Sequence, residues 1–535
     1  MPRQELEKTY SPSLIEKKWY KYWSQKDYFS ANPNSEKEPY TIVIPPPNVT
    51  GMLTVGHVLN NTIQDILIRK ARMEGKEACW IPGTDHASIA TETKVVEMLQ
   101  EKGIDKQDIS REEFLTHAWD WKEKYGGIII KQLKRLGCSC DWERERFTMD
   151  EGYTKAVLSA FVKLYEKGYI YKGFRLVNWC PVSKSAISDE EVVHQEKNGS
   201  LWYFRYPIKA SSEYVVVATT RPETMLGDTA VAVNPNDERY KHLVGKYIIL
   251  PIVGREIPII TDKYVDPEFG TGCVKVTPAH DPNDFQMGER HDLELINIMN
   301  DDASMNSNVP YKYVGLSREK ARKKVVEDIQ KKGFLEKIEN YQTKIGFSER
   351  GQVPIEFYLS EQWFMKMEDL IKPAIDAVNK GKINFYPKHW SKTYNHWLLN
   401  IKDWCISRQL YWGHQIPVWY HKEDKSRIHV SVNGPSDSEN WVQDSDVLDT
   451  WASSWIWPIG VHKWPDQDKG LDKFYPTSTL VTGPDIIFFW VARMIISGYE
   501  FMDEYPFKNV YFTSILRDDT GQKLSKSLGN SPDPF

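Results

Sequence analysis

Cysteine is scarce in this sequence, with six residues among 535 and no spacing typical of a disulfide framework. This scarcity argues against a disulfide-stabilised secreted scaffold and leads us to expect a reducing, cytoplasmic setting. The start of the chain, Met1–Lys8, is polar and charged and predicts no signal peptide. The longest wholly apolar run, Ile486–Ala492, is too short to span a bilayer.

An excess of positive charge is also missing, since the formal net charge is −5. Overall charge therefore gives no sign of a nucleic-acid partner. Two local basic clusters, Lys131–Arg135 and Arg318–Lys324, could contact phosphates or could be solvated helix faces. The length of 535 residues predicts two to four domains, and the composition, 41% hydrophobic and 27% charged, is typical of a globular protein.

Strand, helix and strand patterns follow one another near both ends of the chain. The predicted strands are Thr41–Ile44, Ala78–Ile81, Ser478–Thr482 and Asn509–Ile515. One predicted helix begins after Gly51, with its apolar face on Leu59, Ile63, Ile66 and Leu67, and another begins at about Asp485. This order is typical of a doubly wound, Rossmann-like parallel α/β sheet.

The region between these segments, residues 190–343, is richer in β-type runs that are separated by turn residues. The runs are Tyr214–Thr220, Tyr247–Val253 and Gly272–Thr277. They predict a β-barrel-like domain inserted into a split α/β domain, whose halves would be residues 1–189 and 344–535.

Two motifs have residues suited to binding phosphate. In Pro45-Pro-Pro-Asn-Val-Thr-Gly-Met-Leu-Thr-Val-Gly-His57, Gly56 lets the backbone approach a ligand, and His57 lies at a helix N-terminus that favours an anion. In Gly521-Gln-Lys-Leu-Ser-Lys-Ser-Leu-Gly-Asn530, two lysines lie among glycines and hydroxyls and could grip a triphosphate. Taken alone, the first could be a capped helix start and the second a solvated tail.

Together the two motifs resemble the HIGH and KMSKS signatures of class I aminoacyl-tRNA synthetases. The resemblance implies catalytic roles for Thr54, His57, Lys523 and Lys526. Thr54 replaces the first histidine of the signature and Leu524 replaces its methionine. Thr54 can donate one hydrogen bond to a phosphate but cannot carry charge.

Further segments resemble the valine-specific members of this family. These segments are Pro45–Gly51, Gly83–Ala87, Asp446–Trp451 and Thr482–Met494. The resemblance implies that the chain activates valine with ATP and transfers it to tRNA(Val). It places Asp85 at the substrate ammonium and Asn48 on the adenylate side, with Gly483 and Asp485 at the adenine and ribose. The walls of the side-chain pocket would be Pro46, Pro47, Trp451 and Ile486.

The insert resembles the editing domain of these synthetases at Thr219–Thr224, Gly270–Asp281 and Asp284. Editing is needed because the apolar pocket of a valine-specific synthetase rejects threonine only about a hundredfold. The resemblance implies that Arg221 and Thr224 bind the misplaced aminoacyl group and the terminal adenosine. Asp281 would hold the ammonium, Asp284 would accept the threonine hydroxyl, and Lys275 and Thr277 would line the side from which water enters.

The metal expectations are Mg²⁺, which would travel with ATP, and no structural zinc. Trp179-Cys-Pro181 resembles the start of a zinc knuckle, but Ser183 stands where its second cysteine is expected. Cys138 and Cys140 are too close together for knuckle spacing.

The chain stops at Phe535, where the family continues into an anticodon-binding domain, so we expect a truncated protein. We also expect a monomer. Two alternatives remain. A different nucleotidyltransferase could carry the first motif, although the editing-like insert argues against it. The chain could also be a fragment that only binds tRNA or hydrolyses aminoacyl-tRNA.

Overall fold

The structure, a computed structural model, describes residues 8–524 and 529–535, without the side chains of Ser13 and Leu14. It divides into two compact units, the first being Met1–Tyr171 with Phe364–Phe535 and the second Lys172–Trp363. The predicted insert, residues 190–343, lies inside the second unit. No helix within the described ranges is long and apolar enough to cross a membrane.

The helices are unevenly distributed, because the second unit contains only α6 and α7 among its described residues. In chain order the α-helices are α1 Pro12–Gln25, α2 Val55–Met73, α3 Ser88–Glu101, α4 Arg111–Arg135, α5 Glu151–Glu166, α6 Pro282–His291, α7 Arg318–Lys331, α8 Ile371–Asn379, α9 Trp390–Leu399, α10 Trp451–Ser454, α11 Trp457–Gly460, α12 Lys469–Phe474 and α13 Ala492–Met502.

The two longest strands among the described residues lie in the second unit. In chain order they are β1 Pro39–Val43, β2 Glu77–Ile81, β3 Gly83–Thr84, β4 Arg146–Phe147, β5 Ile170–Cys180, β6 Ser185–Ile187, β7 Val192–Pro207, β8 Tyr214–Thr219, β9 Ala230–Val233, β10 Tyr247–Ile249, β11 Glu256–Thr261, β12 Cys273–Val276, β13 Leu335–Ser348, β14 Glu356–Met365, β15 Asn384–Tyr386, β16 Trp404–Cys405, β17 Ser407–Arg408, β18 Val418–His421, β19 Ile428–Val430, β20 Trp441–Gln443, β21 Val447–Leu448, β22 Thr477–Thr482 and β23 Phe507–Phe512.

Strands from both ends of the chain form the central layer of the first unit. β1 and β2 pair in parallel, and so do β22 with β23 and β23 with β15. β1 lies beside β22, where the Thr41 N–H donates to Ser478 Oγ at 3.0 Å. Helix α2 packs against β1, β2 and β22, so the predicted parallel α/β fold is confirmed. Segments more than 400 positions apart in sequence therefore build one sheet layer.

The buried face of α2 differs from the predicted one. Its buried residues are Asn61, Gln64, Ile68 and Ala71, whereas Ile66 is 60% exposed. Gln64 is buried because Trp80 Nε1 of β2 donates a hydrogen bond to its Oε1 at 2.9 Å. The prediction of the apolar face was wrong, because side-chain periodicity does not show which polar groups find partners inside.

The chain after β22 also begins less regularly than predicted. A 3₁₀ turn, Pro484–Ile486, leads into a π-helical segment, Ile487–Val491, and only then into α13. π-helical segments are rare and occur frequently at functional sites.

The second unit contains antiparallel and mixed sheets that pack around a main apolar core, with a smaller cluster that includes Ala230, Val276 and Met287. Its sheets have the strand orders β13–β7–β8 and β10–β11–β9–β12, and an isolated bridge joins Ile208 to Ile248. The core includes Phe204, Val217, Val231, Ile259 and Ile329. The predicted β-rich character is confirmed, and barrel closure stays a prediction.

Candidate active sites

The loops that follow β1 and β2 are bound to each other by backbone hydrogen bonds. The Val49 N–H donates to the Asp85 carbonyl, and the Asp85 N–H donates to the Pro47 carbonyl, both at 3.0 Å. Pro47 is buried, Pro46 is half-buried and Asn48 is exposed. The structure therefore brings these four sequence-predicted residues to one place in the first unit.

A glycine is required at position 83, just before this junction. A Cβ on Gly83 would lie 2.5 Å from the Arg146 carbonyl oxygen and 2.5 Å from a ring carbon of Trp457. The close approach lets the short strand β3 pair with β4, and β3 leads directly to Asp85. Packing at Gly83 therefore constrains the position of Asp85.

The carboxylate of Asp85 is buried and only partly satisfied. Its Oδ1 accepts hydrogen bonds from the Ala87 N–H at 2.6 Å and from the Thr450 hydroxyl at 2.9 Å. Its Oδ2 accepts none from the described residues. Burial raises the pKa of Asp85 to about 6, against these two hydrogen bonds, which lower it. A buried carboxylate with one oxygen available is suited to binding a ligand cation.

The Thr450 contact brings the predicted pocket wall to Asp85. Thr450 precedes Trp451, and the Trp451 ring lies 5.1 Å from the ring of Phe489. Phe489 belongs to the π-helical segment that follows Ile486. Pro47 is therefore hydrogen-bonded to Asp85, Trp451 is next to its partner Thr450, and Phe489 brings the segment that follows Ile486 to Trp451.

Sequence reasoning missed Thr450, Phe489 and the buried Asp449. Asp449 Oδ2 accepts from Trp404 Nε1 at 3.1 Å and lies 3.2 Å from Arg408 Nη2. These contacts hold the segment that presents Thr450. The family resemblance of Asp446–Trp451 implies a role only for its tryptophan, because nothing in the sequence shows which hydroxyl reaches Asp85.

Thr54 and His57 contact each other at the start of α2. The Thr54 N–H donates to His57 Nδ1 at 3.1 Å, and Thr54 Oγ1 lies 2.7 Å from the same nitrogen. Both residues are half-buried. The hydroxyl that was predicted to face a phosphate is therefore directed at the histidine ring.

Lys523 and Asp485 form an ion pair, with Lys523 Nζ 2.6 Å from Asp485 Oδ2. Asp485 lies after β22, two residues beyond Gly483, and Lys523 lies after the neighbouring strand β23. Both side chains are substantially exposed. The structure thus brings a predicted ribose-binding residue and a predicted phosphate-binding residue into contact. The fourth predicted catalytic residue, Lys526, lies outside the described residues.

Asp228 is at the centre of the predicted editing site in the second unit, and it was not predicted. This fully buried carboxylate accepts hydrogen bonds from the Tyr206 hydroxyl at 2.7 Å, the Thr277 hydroxyl at 2.6 Å and Lys275 Nζ at 3.0 Å. Lys275 Nζ also donates to Thr277 Oγ1 at 2.5 Å. Burial raises the pKa of Asp228, whereas the Lys275 ammonium lowers it.

Asp284 lies beside this network. Its Oδ2 accepts from the Thr277 N–H at 2.8 Å, and its Oδ1 accepts no hydrogen bond from the described residues. Burial and the neighbouring Asp281 carboxylate raise the pKa of Asp284 to about 7. Asp281 has a local role as well, since its Oδ1 caps α6 by accepting from the N–H groups of Asn283 and Asp284.

Arg221 and Thr224 border this site and are held by other groups. Thr224 is buried, and its hydroxyl donates to the Arg221 carbonyl at 2.9 Å. Arg221 Nη1 donates to the His280 carbonyl at 3.0 Å, and Nη2 contacts Glu356. Glu356 also accepts from Arg318 at 2.6 Å. Arg318, from the second basic cluster, is therefore neither a solvated helix residue nor a phosphate contact.

Within 8–524 and 529–535 there is no group of three or more His, Cys, Asp or Glu residues that could hold a metal ion.

The family model for class I tRNA synthetases (I, L, M and V) matches residues 18–434 and 427–535. The chain therefore belongs to this family. Its fold is also similar to a solved Agrobacterium radiobacter K84 LeuRS in a ternary complex with tRNA and LeuAMS. That comparison has a TM-score of 0.54 at 18% identity and covers 98% of this chain and 70% of that one.

The similar curated proteins are named as valine--tRNA ligases. The Parabacteroides distasonis protein is 56% identical over 547 residues, which cover 99% of this chain and 62% of that protein. The Bacillus licheniformis protein is 55% identical over 528 residues, which cover 98% of this chain and 60% of that protein. The chain thus spans about three fifths of the length of these relatives.

Proposed function

We propose that this chain activates valine with ATP and transfers it to tRNA(Val), and that its second unit hydrolyses threonyl-tRNA(Val). The observation that carries the proposal is the buried Asp85 carboxylate, which keeps one oxygen for a ligand beside Trp451 and Pro47. This arrangement is suited to an amino acid with a short apolar side chain. The names of the relatives that match nearly the whole chain support valine.

In the activation step, a carboxylate oxygen of valine attacks the α-phosphorus of ATP, and pyrophosphate leaves with Mg²⁺. Asp85 binds the ammonium of valine, while Pro46, Pro47, Trp451 and Ile486 surround its side chain and leave no room for isoleucine. Nothing in this step requires a covalent enzyme intermediate. The chain contributes positioning and neutralisation of phosphate charge.

The groups that hold ATP come from the loops after β1, β22 and β23. His57 donates a hydrogen bond to a phosphate, with Asn48 on the adenylate side. Asp485 and Gly483 bind the ribose and adenine, which releases Lys523 from Asp485 toward the phosphates. Lys526 adds a second positive charge. The terminal ribose of tRNA(Val) then attacks the valyl carbonyl and displaces AMP.

Proofreading uses the Asp228 network in the second unit. Asp284 Oδ1 accepts the threonine hydroxyl, and Asp281 attracts the ammonium. Lys275 and Thr277, held by Asp228, position the attacking water, with Arg221 and Thr224 beside the terminal adenosine. Valine would place a methyl group against Asp284 and leave Oδ1 of this buried carboxylate without a hydrogen-bond donor, which costs about 1–3 kcal/mol.

ATP–pyrophosphate exchange with each of the twenty amino acids tests the activation step. We expect exchange with valine above all others, and a Lys526→Ala variant that loses kcat much more than valine affinity. Absence of exchange with every amino acid at high enzyme concentration would favour the hydrolysis-only alternative. Hydrolysis of preformed threonyl- and valyl-tRNA tests proofreading. Asp284→Ala should abolish the preference for threonine and leave valine-dependent exchange unchanged.

A further inference from the structure

The Thr54 hydroxyl and the His57 ring are the starting point for one further inference. Thr54 stands where the family signature has a histidine, and its hydroxyl lies 2.7 Å from His57 Nδ1. The same nitrogen receives the Thr54 backbone N–H at 3.1 Å. A backbone N–H is always a donor, so Nδ1 must be the acceptor in this contact. The neutral ring therefore carries its proton on Nε2.

The Thr54 hydroxyl then has only one role open to it toward this ring. Since Nδ1 already acts as an acceptor, the hydroxyl must donate its proton to Nδ1. Two donors from one residue thus fix both the tautomer and the rotation of the imidazole. The helix start at Val55 gives the pair its geometry, because residue 54 ends the loop and residue 57 completes the first turn.

We propose that Thr54 is a positioning residue for amino-acid activation, and that it acts by holding His57 with Nε2–H as the donor toward the phosphate. The inference rests on the proposed function for its catalytic consequence, but the state of the ring is a property of the ligand-free protein. Thr54 cannot supply the positive charge of the histidine that the signature has at this position. Instead, its hydroxyl controls the tautomer and the orientation of His57. A direct hydrogen bond from Thr54 to phosphate is not part of this role.

Isosteric replacement of Thr54, combined with the ring tautomer of His57, separates the positioning of His57 from a direct hydrogen bond between Thr54 and phosphate. Thr54→Val keeps the β-branched shape and the backbone N–H and removes only the hydroxyl, whereas Thr54→Ser keeps the hydroxyl. Thr62→Val is the matched control, because Thr62 is an exposed residue of the same helix. For Thr54→Val we expect kcat of valine-dependent exchange to fall about tenfold with little change in the KM for valine, and we expect Thr54→Ser to restore most of it.

The second measurement is the ring tautomer in protein labelled with ¹⁵N-histidine, recorded without ligands at about pH 8, where an ordinary histidine is neutral. The His57 signal is identified by its loss in a His57→Asn variant. The unaltered chain, in which two donors face Nδ1, should show Nε2–H almost exclusively. Thr54→Val keeps only the backbone N–H as a donor to Nδ1, so its Nδ1–H population should rise to a measurable minority. Thr62→Val should change neither the rate nor the spectrum.

Two outcomes would overturn the proposal. One is a Thr54→Val variant with undiminished exchange, and the other is a variant that loses activity while its His57 tautomer stays unchanged, which would indicate direct contact with phosphate. If the unaltered chain shows no valine-dependent exchange, the proposed function fails separately. The tautomer spectra of the unaltered chain, Thr54→Val and Thr62→Val still decide whether Thr54 controls the tautomer of His57.

Discussion

Replacing Asp85 with asparagine removes the charge that we assign to the ammonium of valine. The side chain keeps its size, and its remaining oxygen can still accept from the Ala87 N–H and the Thr450 hydroxyl. The change therefore tests charge more than packing. Loss of a charge-assisted hydrogen bond costs about 1.5–3 kcal/mol. This corresponds to a fall of about 10- to 150-fold in valine affinity.

The pH dependence of valine activation gives a second expected magnitude, the fall of kcat/KM for valine in acid. The pKa of Asp85 is about 6 because the group is buried. Only the ionised form binds an ammonium, so activity toward valine should fall as the pH drops through about 6. One unit below the pKa, about one tenth of the carboxylate is ionised, and kcat/KM for valine should be about tenfold lower.

Measuring kcat/KM for valine in ATP–pyrophosphate exchange between about pH 5 and pH 8 checks both effects, because this ratio reports groups of the free enzyme. Thr450→Val is the companion variant. It removes a hydrogen bond that lowers the pKa of Asp85, so its acidic limb should move to higher pH. The reasoning is refuted if Asp85→Asn leaves kcat/KM for valine unchanged, or if that variant retains the acidic limb.

Three further predictions concern stability and nucleotide binding. Gly83→Ala should lower the free energy of unfolding by about 1–3 kcal/mol in urea titrations, because its Cβ has no room, whereas Gly127→Ala in α4, where nothing lies within 4 Å, should not. Folding raises the pKa of Asp284 from 3.8 to about 7, so its contribution to the free energy of unfolding should fall by up to about 4 kcal/mol as the pH rises from about 4 to 7. Asp284→Asn should remove this pH dependence of stability. An unchanged pH dependence would refute the raised pKa of Asp284. Lys523→Met should lower kcat of exchange and leave the KM for valine nearly unchanged, and an equal effect on both would contradict its assignment to phosphate.

The sequence predicted those parts of the first unit that depend on local pattern. The strands around Thr41 and Ser478 and the helix after Gly51 were found because each is a short apolar or periodic run with a clear stop signal. The same method failed for the buried face of α2. Gln64 is buried there through a hydrogen bond from Trp80, and a polar residue inside a helix pattern predicts exposure by default.

Residues that act through others could not be predicted in the same way. Asp228 follows a recognised segment by only a few positions, but its importance comes from three donors that lie at positions 206, 275 and 277. Thr450 reaches Asp85 across 365 positions. Such pairs are set by tertiary packing, so a single sequence gives the residue types but not the partners.

The division of the first unit into two chain segments affects how the protein folds. β1 gains its neighbour β22 only after the second unit has been synthesised, and until then its edge is unpaired. Closing a loop as long as Lys172–Trp363 costs a disordered chain about 4–5 kcal/mol of entropy. The pairing of β5 with β14, which flank this loop, brings Tyr171 and Phe364 together, with their rings 5.7 Å apart. An insert that folds first therefore shortens the search for the second half of the sheet.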